Sequence, residues 1–381
     1  MQRGVQNVSE IAELETRFRE HPTDVTLLMR LADSYLVARQ FDEAVRAYTG
    51  AAALDPDLAA AFYGAGRVMV EKKDYRAAVP LLSAAAGKSR NNVRYWIDLG
   101  LAFEKVPQLH NAAACFEAAE ALDPARDETK LHLLRIRFKL GFLEQIVSTT
   151  EAGNSLSSLI PKYPDVLLTR ANALLILGRQ DEAKAAIGQA LKLFPDSVDV
   201  RAAAASHASM AGDLNTAHRL LDEASREAPD NYWVLIGQGT VALQEENLSA
   251  AKDRFLHAWK DGEGGWEACL GLASIAYRQS DGASLDKWTE QGCALAPWHP
   301  GLLDLRGRLM AGRGDLAKAE ECFRQAIKVN PFAQAAYFDL AKLLWSKGLR
   351  EQAREQLEKV VAIAADNELG RAASAQLQSF R

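Results

Sequence analysis

Three residues near position 88 look like the end of a nucleotide-binding loop. Gly87, Lys88 and Ser89 have the order with which a P-loop places a lysine and a hydroxyl against phosphates and magnesium. That loop also needs a glycine five residues before Gly87, and Leu82 occupies this place. The sequence before the motif predicts a helix instead of the required strand. We therefore expect no nucleotide site here.

A second segment imitates a dinucleotide-binding turn. Residues 237–242 read Gly-Gln-Gly-Thr-Val-Ala and follow the strand-like sequence YWVLI. A lone G-x-G-x-x-A is weak evidence, because its glycines act only between a strand and a helix. Gly239 also falls on a position that is small in many other segments of the chain. Helix packing is therefore the favoured interpretation.

Metal, redox and acid–base chemistry have no supporting pattern of residues. The seven histidines are scattered and form no H-E-x-x-H. The cysteines are far apart and form no C-x-x-C pair, which fits neither a zinc site nor a disulfide framework and is typical of a reducing compartment. They are Cys115, Cys269, Cys293 and Cys322. We expect no catalytic residue, no metal and no cofactor, and we predict a protein that is not an enzyme.

One position, nearly always alanine, returns along the chain at a fixed interval. The segment FDEAVRAY at 41–48 is matched by DYRAAVPL, DLNTAHRL, NLSAAKDR and DLAKAEECF. The interval is 34 residues, apart from one of 71 residues, which is two periods plus three. A fixed period of this length indicates a repeat array. The residues at this position are Ala44, Ala78, Ala112, Ala183, Ala217, Ala251, Leu285, Ala319 and Ala353.

Each interval has the pattern of two helices and a turn. A bulky residue such as Phe62 is followed four positions later by a small one such as Gly66, which places both on one helix face. A glycine such as Gly178 then ends the first helix in several intervals, because glycine readily takes the left-handed C-cap conformation. Proline closes many intervals, since it cannot continue a helix. The pattern predicts antiparallel helix pairs stacked side by side.

These recurring positions resemble the tetratricopeptide repeat family over nearly the whole chain. The resemblance implies an all-α fold, a right-handed superhelical α-solenoid of about ten stacked helix-turn-helix repeats. We number repeats 1 to 10 from starts near residues 25, 59, 93, 127, 164, 198, 232, 266, 300 and 334. We expect an N-terminal capping helix in residues 1–24, the repeats in 25–364, and a short C-terminal capping helix in 365–381, since terminal repeats need a polar cover.

Two repeats depart from the pattern. In the repeat at 127–163 the second helix has lost its small-residue frame, and the polar run at 148–158 fits either a looped bulge or a longer frayed helix. In the repeat continuing through 261–297, DGEGG at 261–265 replaces the usual turn, and Leu285, Thr289 and Gly292 look like poor packing choices. We expect 142–163 and 261–292 to be the softest joints, through either sequence drift or a hinge function.

Charge and hydropathy limit the partners and the location. A net charge of −5 and a pI of 5.9 argue against a broad nucleic-acid surface. No run of 18 apolar residues is present, so we expect no membrane span. The first residues lack the apolar core of a signal peptide, so we expect a cytoplasmic protein, or a periplasmic one if a targeting segment has been removed. The oligomeric state stays open.

The family resemblance implies that the first helices line a concave groove that binds peptides or partner segments. The residues expected to face it are Met29, Tyr63, Arg67, Arg94, Ile97, Leu101, Leu131, Arg135, Lys139, Ile236, Leu270, Tyr277, Phe338 and Trp345. The basic helix at 128–140 suggests a clamp for an acidic segment, because guanidinium groups bind carboxylates bidentately. The alternative is that these are solvated charges. Tyr277, Phe338 and Trp345 suggest a second, more apolar stretch, unless they belong to the core.

Two functions follow, and a third is disfavoured. The first is a scaffold or adaptor that binds another protein in the groove without catalysing a reaction. The second is a substrate-recruiting module of a larger or multi-chain enzyme, for example a transferase, whose catalytic part lies elsewhere. RNA-binding helical repeats would have a period of about 35 residues and a basic groove, whereas this chain has a period of 34 and an acidic balance.

Overall fold

The computed structural model describes residues 2–260 and 264–378, with side chains described from residue 10 onward. Its backbone contacts divide the chain between Ile136 and Arg137 into an N-terminal and a C-terminal body. The N-terminal body contains α1 (Gln2–Glu20), α2 (Val25–Val37), α3 (Phe41–Leu54), α4 (Ala59–Glu71), α5 (Tyr75–Lys88), α6 (Val93–Lys105), α7 (Leu109–Leu122) and most of α8 (Asp127–Lys139).

The C-terminal body begins in the last turn of α8. It continues with α9 (Leu143–Thr149), a 3₁₀ helix (Ser157–Leu159), α10 (Pro164–Ile176), α11 (Gln180–Leu193), α12 (Val198–Met210), α13 (Leu214–Glu227), α14 (Tyr232–Gln244), α15 (Leu248–Trp259), α16 (Trp266–Arg278), α17 (Gly282–Leu295), α18 (Pro300–Gly312), α19 (Leu316–Val329), α20 (Gln334–Ser346), α21 (Arg350–Ile363) and α22 (Glu368–Gln378).

The helices from α2 to α21 follow one another as ten pairs, one for each repeat. Their first helices, with even numbers from α2 to α20, begin at the ten residues from which the repeats were numbered. No strand occurs in residues 2–260 or 264–378. The predicted all-α fold of about ten stacked helical repeats is therefore confirmed.

Bulky side chains of the second helices pack against small residues of the first helices. A Cβ added at Gly66 would lie 2.7 Å from Cδ2 of Leu82, so only glycine lets this leucine approach. The ring of Phe255 lies between two such glycines, because a Cβ at Gly239 or at Gly271 would be 2.7 or 2.5 Å from it. One bulky side chain thus joins its own repeat to the next, which explains why the small position recurs with the period of the array.

The turn between the two helices of a repeat needs a left-handed residue. Glycine supplies it at Gly141, Gly178, Gly212, Gly314 and Gly348, which have φ between 76° and 84°. Arg39, Lys73, Glu246 and Ser280 adopt the same conformation at the same place in four other repeats. A side chain with a Cβ is strained there, so these four turns are held by the packing around them.

Repeat 4 is irregular in a defined way. Helix α9 ends after seven residues at Thr149, so the polar run at 148–158 forms a loop and a 3₁₀ turn instead of a longer helix. Thr150 is buried and its hydroxyl donates to the carbonyl of Ile146 at 2.7 Å. Leu156 and Leu159 are buried as well, which anchors the loop to the core.

Repeat 8 is more regular than its sequence suggests. Helix α17 has fourteen residues, and Leu285, Thr289 and Gly292 are all buried. The Thr289 hydroxyl donates to the carbonyl of Leu285 at 2.7 Å. A Cβ at Gly292 would lie 2.6 Å from Leu302. The prediction that these residues pack poorly is wrong, because small side chains fit the close approach of α18. Residues 261–263 of the predicted irregular turn lie outside the described residues.

Terminal helices flank the array at both ends. Helix α1 packs on α2, and α22 packs on α21. The part of the predicted terminal helix beyond residue 378 lies outside the described residues. Within the described ranges, no helix combines the length and the apolar character that crossing a bilayer requires.

Candidate partner-binding surface

Successive first helices of the C-terminal body pack directly on one another. Helices α10, α12, α14, α16, α18 and α20 form one continuous row of such contacts. The approach is close where α12 meets α14, because a Cβ at Gly237 would lie 3.4 Å from Oγ of Ser206 and 3.5 Å from the carbonyl of Ala202. In each body, we call the side on which the first helices lie its first-helix surface.

In the N-terminal body, this surface carries a group of tyrosines and charges that hold one another in place. The hydroxyl of Tyr63 donates to Asp98 at 2.5 Å, and its ring stacks on that of Tyr95 at 4.3 Å between centroids. Arg94 donates from Nε to the same Asp98 at 3.1 Å. Burial, with the hydrogen bond to Asp98, raises the pKa of Tyr63 to about 12, so the phenol stays a donor at neutral pH.

Arg67 lies exposed at the edge of this group. Its guanidinium carbon is 5.8 Å from the ring centroid of Tyr63, and no carboxylate of the described residues lies within ion-pair distance of it. The nearby Asp33 is already engaged, since it accepts a hydrogen bond from the hydroxyl of buried Tyr48. Arg67 therefore presents its donors to solvent, which is the arrangement needed to meet a carboxylate from outside.

The other predicted basic residues are less available. Arg135 is exposed but donates to Glu104 at 3.1 Å and contacts the ring of His132. Arg94 is paired with Asp98 as described above. Burial and the charge of Arg135 lower the pKa of His132, so this ring adds no positive charge near neutral pH. The predicted basic clamp therefore has Arg67 as its unpaired guanidinium, with Arg94 and Arg135 neutralised by neighbours.

The predicted apolar contacts differ in exposure. Ile97 is fully buried and Ile236 is 8% exposed, so both belong to the packed interior and were wrongly placed on the binding face. Leu101, Leu131, Met29 and Leu270 are half-buried and keep part of their surface open. Lys139, which belongs to the C-terminal body, is exposed.

A second group of charges crosses three first helices in the C-terminal body. Arg308 on α18 donates from Nη2 to Asp304 at 2.9 Å, and its Nε lies 2.7 Å from Asp339 on α20. Its guanidinium also lies 4.8 Å from the ring centroid of Tyr277 on α16. Lys342 adds an ion pair to Asp339 at 3.4 Å. We call this group the Arg308 cluster.

Burial dominates the electrostatics of the Arg308 cluster. Burial raises the pKa of Asp304 to about 7, although the positive charge of Arg308 lowers it. The second carboxylate of the pair, Asp339, adds to the rise. Oδ1 of Asp304 is buried and meets no hydrogen-bond donor among the described residues. The cluster thus contains a carboxyl group that is costly to ionise.

The aromatic residues predicted for this end of the array lie around the cluster. Tyr277 is 43% exposed, and Phe338 and Trp345 are half-buried. Lys342 lies over Phe338 at 5.6 Å, and Arg350 lies over Trp345 at 5.4 Å. The predicted apolar stretch is therefore a mixed surface on which cations cover the aromatic faces. Sequence reasoning missed Asp304, Arg308 and Asp339, although the i,i+4 spacing of Asp304 and Arg308 was visible.

Sequence comparisons agree with the helical repeats. Sequence models described as tetratricopeptide repeat match residues 38–99, 164–207 and 305–368. The chain is also similar to Cellulose synthase operon protein C of Xanthomonas axonopodis pv. citri (strain 306), with 31% identity over 146 residues. That stretch is 36% of this chain and 10% of the relative, so the chain matches about a tenth of its length.

Solved structures with a similar fold cover nearly the whole chain. The APC/C hetero-tetramer Cut9–Hcn1 contains a chain that is 12% identical, with a TM-score of 0.50 over 98% of this chain and 93% of that one. Yeast Tom70 is 14% identical, with a TM-score of 0.41 over 99% of this chain and 92% of that one. At this level of identity the first of these likenesses shows the fold alone.

Proposed function

Because this chain is a tetratricopeptide repeat protein, we propose that it is a scaffold that binds an extended segment of a partner protein on its first-helix surface. It does so without catalysing a reaction. The observation that carries the proposal is the exposed guanidinium of Arg67, which has no ion-pair partner among the described residues and lies beside the Tyr63 ring that stacks on Tyr95. A partner segment with an acidic residue fits this place.

The chemistry of the site supports an acidic partner. The guanidinium of Arg67 offers donors in a planar fork that matches a carboxylate. The tyrosine rings beside it give an apolar platform that is already ordered by the hydrogen bond to Asp98, so little side-chain freedom is lost on binding. The half-buried Leu101 and Met29 provide apolar contacts on neighbouring first helices.

Peptide selection tests this proposal directly. Random peptides displayed on phage would be selected on the wild-type chain, and the selected peptides measured on Arg67→Glu and on Arg76→Glu. Arg76 is an exposed arginine of the same repeat that lies on the second helix α5, so it gives the same charge change away from the surface.

We expect the selected peptides to be rich in Asp and Glu. Loss of a charge-assisted hydrogen bond and the introduced repulsion should weaken their binding to Arg67→Glu by about tenfold or more. Binding to Arg76→Glu should stay within about twofold of wild type, since that site is remote. Peptides that bind all three proteins equally would refute the role of Arg67.

A second candidate function is favoured by the relative named for a cellulose synthase operon. In this proposal the chain, or a longer protein containing it, recruits protein components to a polysaccharide synthase. Deleting the coding sequence and measuring exopolysaccharide tests it, with complementation by wild type and by Arg67→Glu. Unchanged exopolysaccharide in the deletion strain would count against this candidate and leave the first intact. Cytoplasmic location and the absence of a nucleic-acid ligand stay predictions.

A further inference from the structure

One contact joins two parts of the C-terminal body that are far apart in the sequence. Trp298, in the loop between α17 and α18, donates from its indole Nε1 to the carbonyl of Lys139 at 2.9 Å. Its ring meets that of Phe138 edge to face at 5.7 Å. Gly141, in the turn after α8, lies so close to the indole that a Cβ there would be 2.4 Å from Cγ.

The same kind of contact occurs again one repeat further along. Phe332, in the loop between α19 and α20, lies against Gly178 in the turn between α10 and α11, where a Cβ would be 3.0 Å from Cβ of Phe332. Trp298 and Phe332 each follow a proline at the same place in their repeats, and Gly141 and Gly178 are equivalent turn glycines. The two contacts are therefore one structural relation, repeated with the period of the array.

Together these contacts close a circuit in the polypeptide. From the turn at Gly141 the chain runs through repeats 5 to 8 and returns at Trp298 to the turn where it started. Along this path successive first helices pack directly on one another, which places them on the inner side of the curve.

We propose that these two contacts are a latch: the Trp298 contact closes repeats 5 to 8 into a ring, and the Phe332 contact closes the same path one repeat further along, from Gly178 to the end of repeat 9. The first-helix surface inside the ring then accepts an extended polypeptide segment and excludes a folded domain. This inference rests on the proposed function and specifies the kind of partner. The latch is small, because Phe332 remains 57% exposed in its contact. Trp298 also packs on Trp266, with ring centroids 6.4 Å apart, so part of its surface belongs to the core between repeats 8 and 9.

Thiol labelling tests the latch without any partner protein. Ser274 on α16 is half-buried and shares a helix face with Leu270 and Tyr277, so Ser274→Cys places a thiol on the first-helix surface. The parent protein would carry Cys322→Ser, which leaves three buried cysteines. Two maleimide reagents are compared: one attached to an unstructured glycine–serine peptide, and one attached to a small folded domain.

The latch is opened by the double substitution Trp298→Ala and Phe332→Ala. Trp233→Ala serves as the matched control, since Trp233 is a half-buried tryptophan of the same body outside the latch. Ala283→Cys, on the exposed side of the second helix α17, reports the intrinsic reactivity of the two reagents. Circular dichroism of each variant checks that the helices remain.

With the latch intact, the peptide reagent should label Ser274→Cys about tenfold faster than the folded reagent, after correction by the Ala283→Cys rates. Opening the latch should remove most of this difference between the two labelling rates. A small change in the free energy between the closed and open states is enough to change the open population tenfold. Trp233→Ala should keep the difference. Equal labelling by both reagents in the parent, or an unchanged ratio after opening, would overturn the latch. Neither outcome bears on Arg67, because its peptide test compares variants at a residue of the N-terminal body that lies outside the latch.

Discussion

Asp304 offers a direct test of how burial sets the electrostatics of the Arg308 cluster. Burial raises the pKa of this carboxyl group from 3.8 to about 7, in spite of its ion pair with Arg308 at 2.9 Å. The folded protein therefore holds a proton on Asp304 more tightly than the unfolded chain does. Below pH 3.8 Asp304 does not lower the free energy of unfolding. The destabilisation grows as the pH rises and is complete above pH 7. Asp304→Asn removes a charge that the folded protein disfavours.

The size of the effect follows from the shift in pKa. Each pKa unit corresponds to about 1.4 kcal/mol. For a shift from 3.8 to about 7, wild type should lose about 2.5 kcal/mol of stability between pH 5 and pH 8 that Asp304→Asn keeps. The pKa of about 7 already contains the lowering by Arg308, so the loss of this ion pair in the variant is included in the difference, and Arg308 retains its contact with Asp339.

Hydrogen exchange of the α18 and α20 amides is the suitable assay, because repeat arrays open locally. Comparing variant and wild type at the same pH cancels the intrinsic pH dependence of exchange. The ratio of the protection factor in Asp304→Asn to that in wild type should rise roughly seventyfold from pH 5 to pH 8. Asp281→Asn is the control: the hydrogen bonds from Ser284 lower the pKa of this cap below 3.8, so its ratio should stay flat above pH 5. A flat ratio for Asp304→Asn would refute the reasoning.

Two further predictions concern packing and hydrogen bonding. Gly239→Ala should lower the free energy of unfolding by about 1–3 kcal/mol, because the added Cβ would lie 2.7 Å from the ring of Phe255. Gly188 has open space around it, so Gly188→Ala should raise the free energy of unfolding by about 1 kcal/mol. Urea unfolding followed by circular dichroism measures both, and equal effects would contradict the packing argument. Tyr63→Phe removes the donor to Asp98 at 2.5 Å and should cost about 1 kcal/mol in the same assay; an unchanged midpoint would show that the hydrogen bond contributes nothing.

Sequence reasoning succeeded where the interaction repeats with the array. Phe62 and Gly66 were placed on one helix face because a bulky and a small residue recur four positions apart in most repeats, and this spacing is visible as a period. The helix starts follow from the same period. Ile97 was misplaced, because a period identifies the face on which a residue lies but not how closely the neighbouring first helices approach it.

Features that join different repeats escaped prediction. Arg308 meets Asp339 only because α18 and α20 pack at a particular distance, which no single repeat encodes. The contact of Trp298 with the carbonyl of Lys139 spans 159 residues. It depends on the curvature accumulated over several repeats, and curvature is the sum of many small packing angles that a sequence pattern does not specify.

The left-handed turn residues give the array an uneven distribution of strain. Repeats 1, 2, 7 and 8 hold this conformation with Arg39, Lys73, Glu246 and Ser280, while repeats 4, 5, 6, 9 and 10 use glycine. Because a solenoid opens repeat by repeat, the strained turns mark where fraying starts. Repeats 1 and 2 form one adjoining pair of strained turns and repeats 7 and 8 form another, so we expect fraying to start at these two places and the glycine-turned repeats to open later.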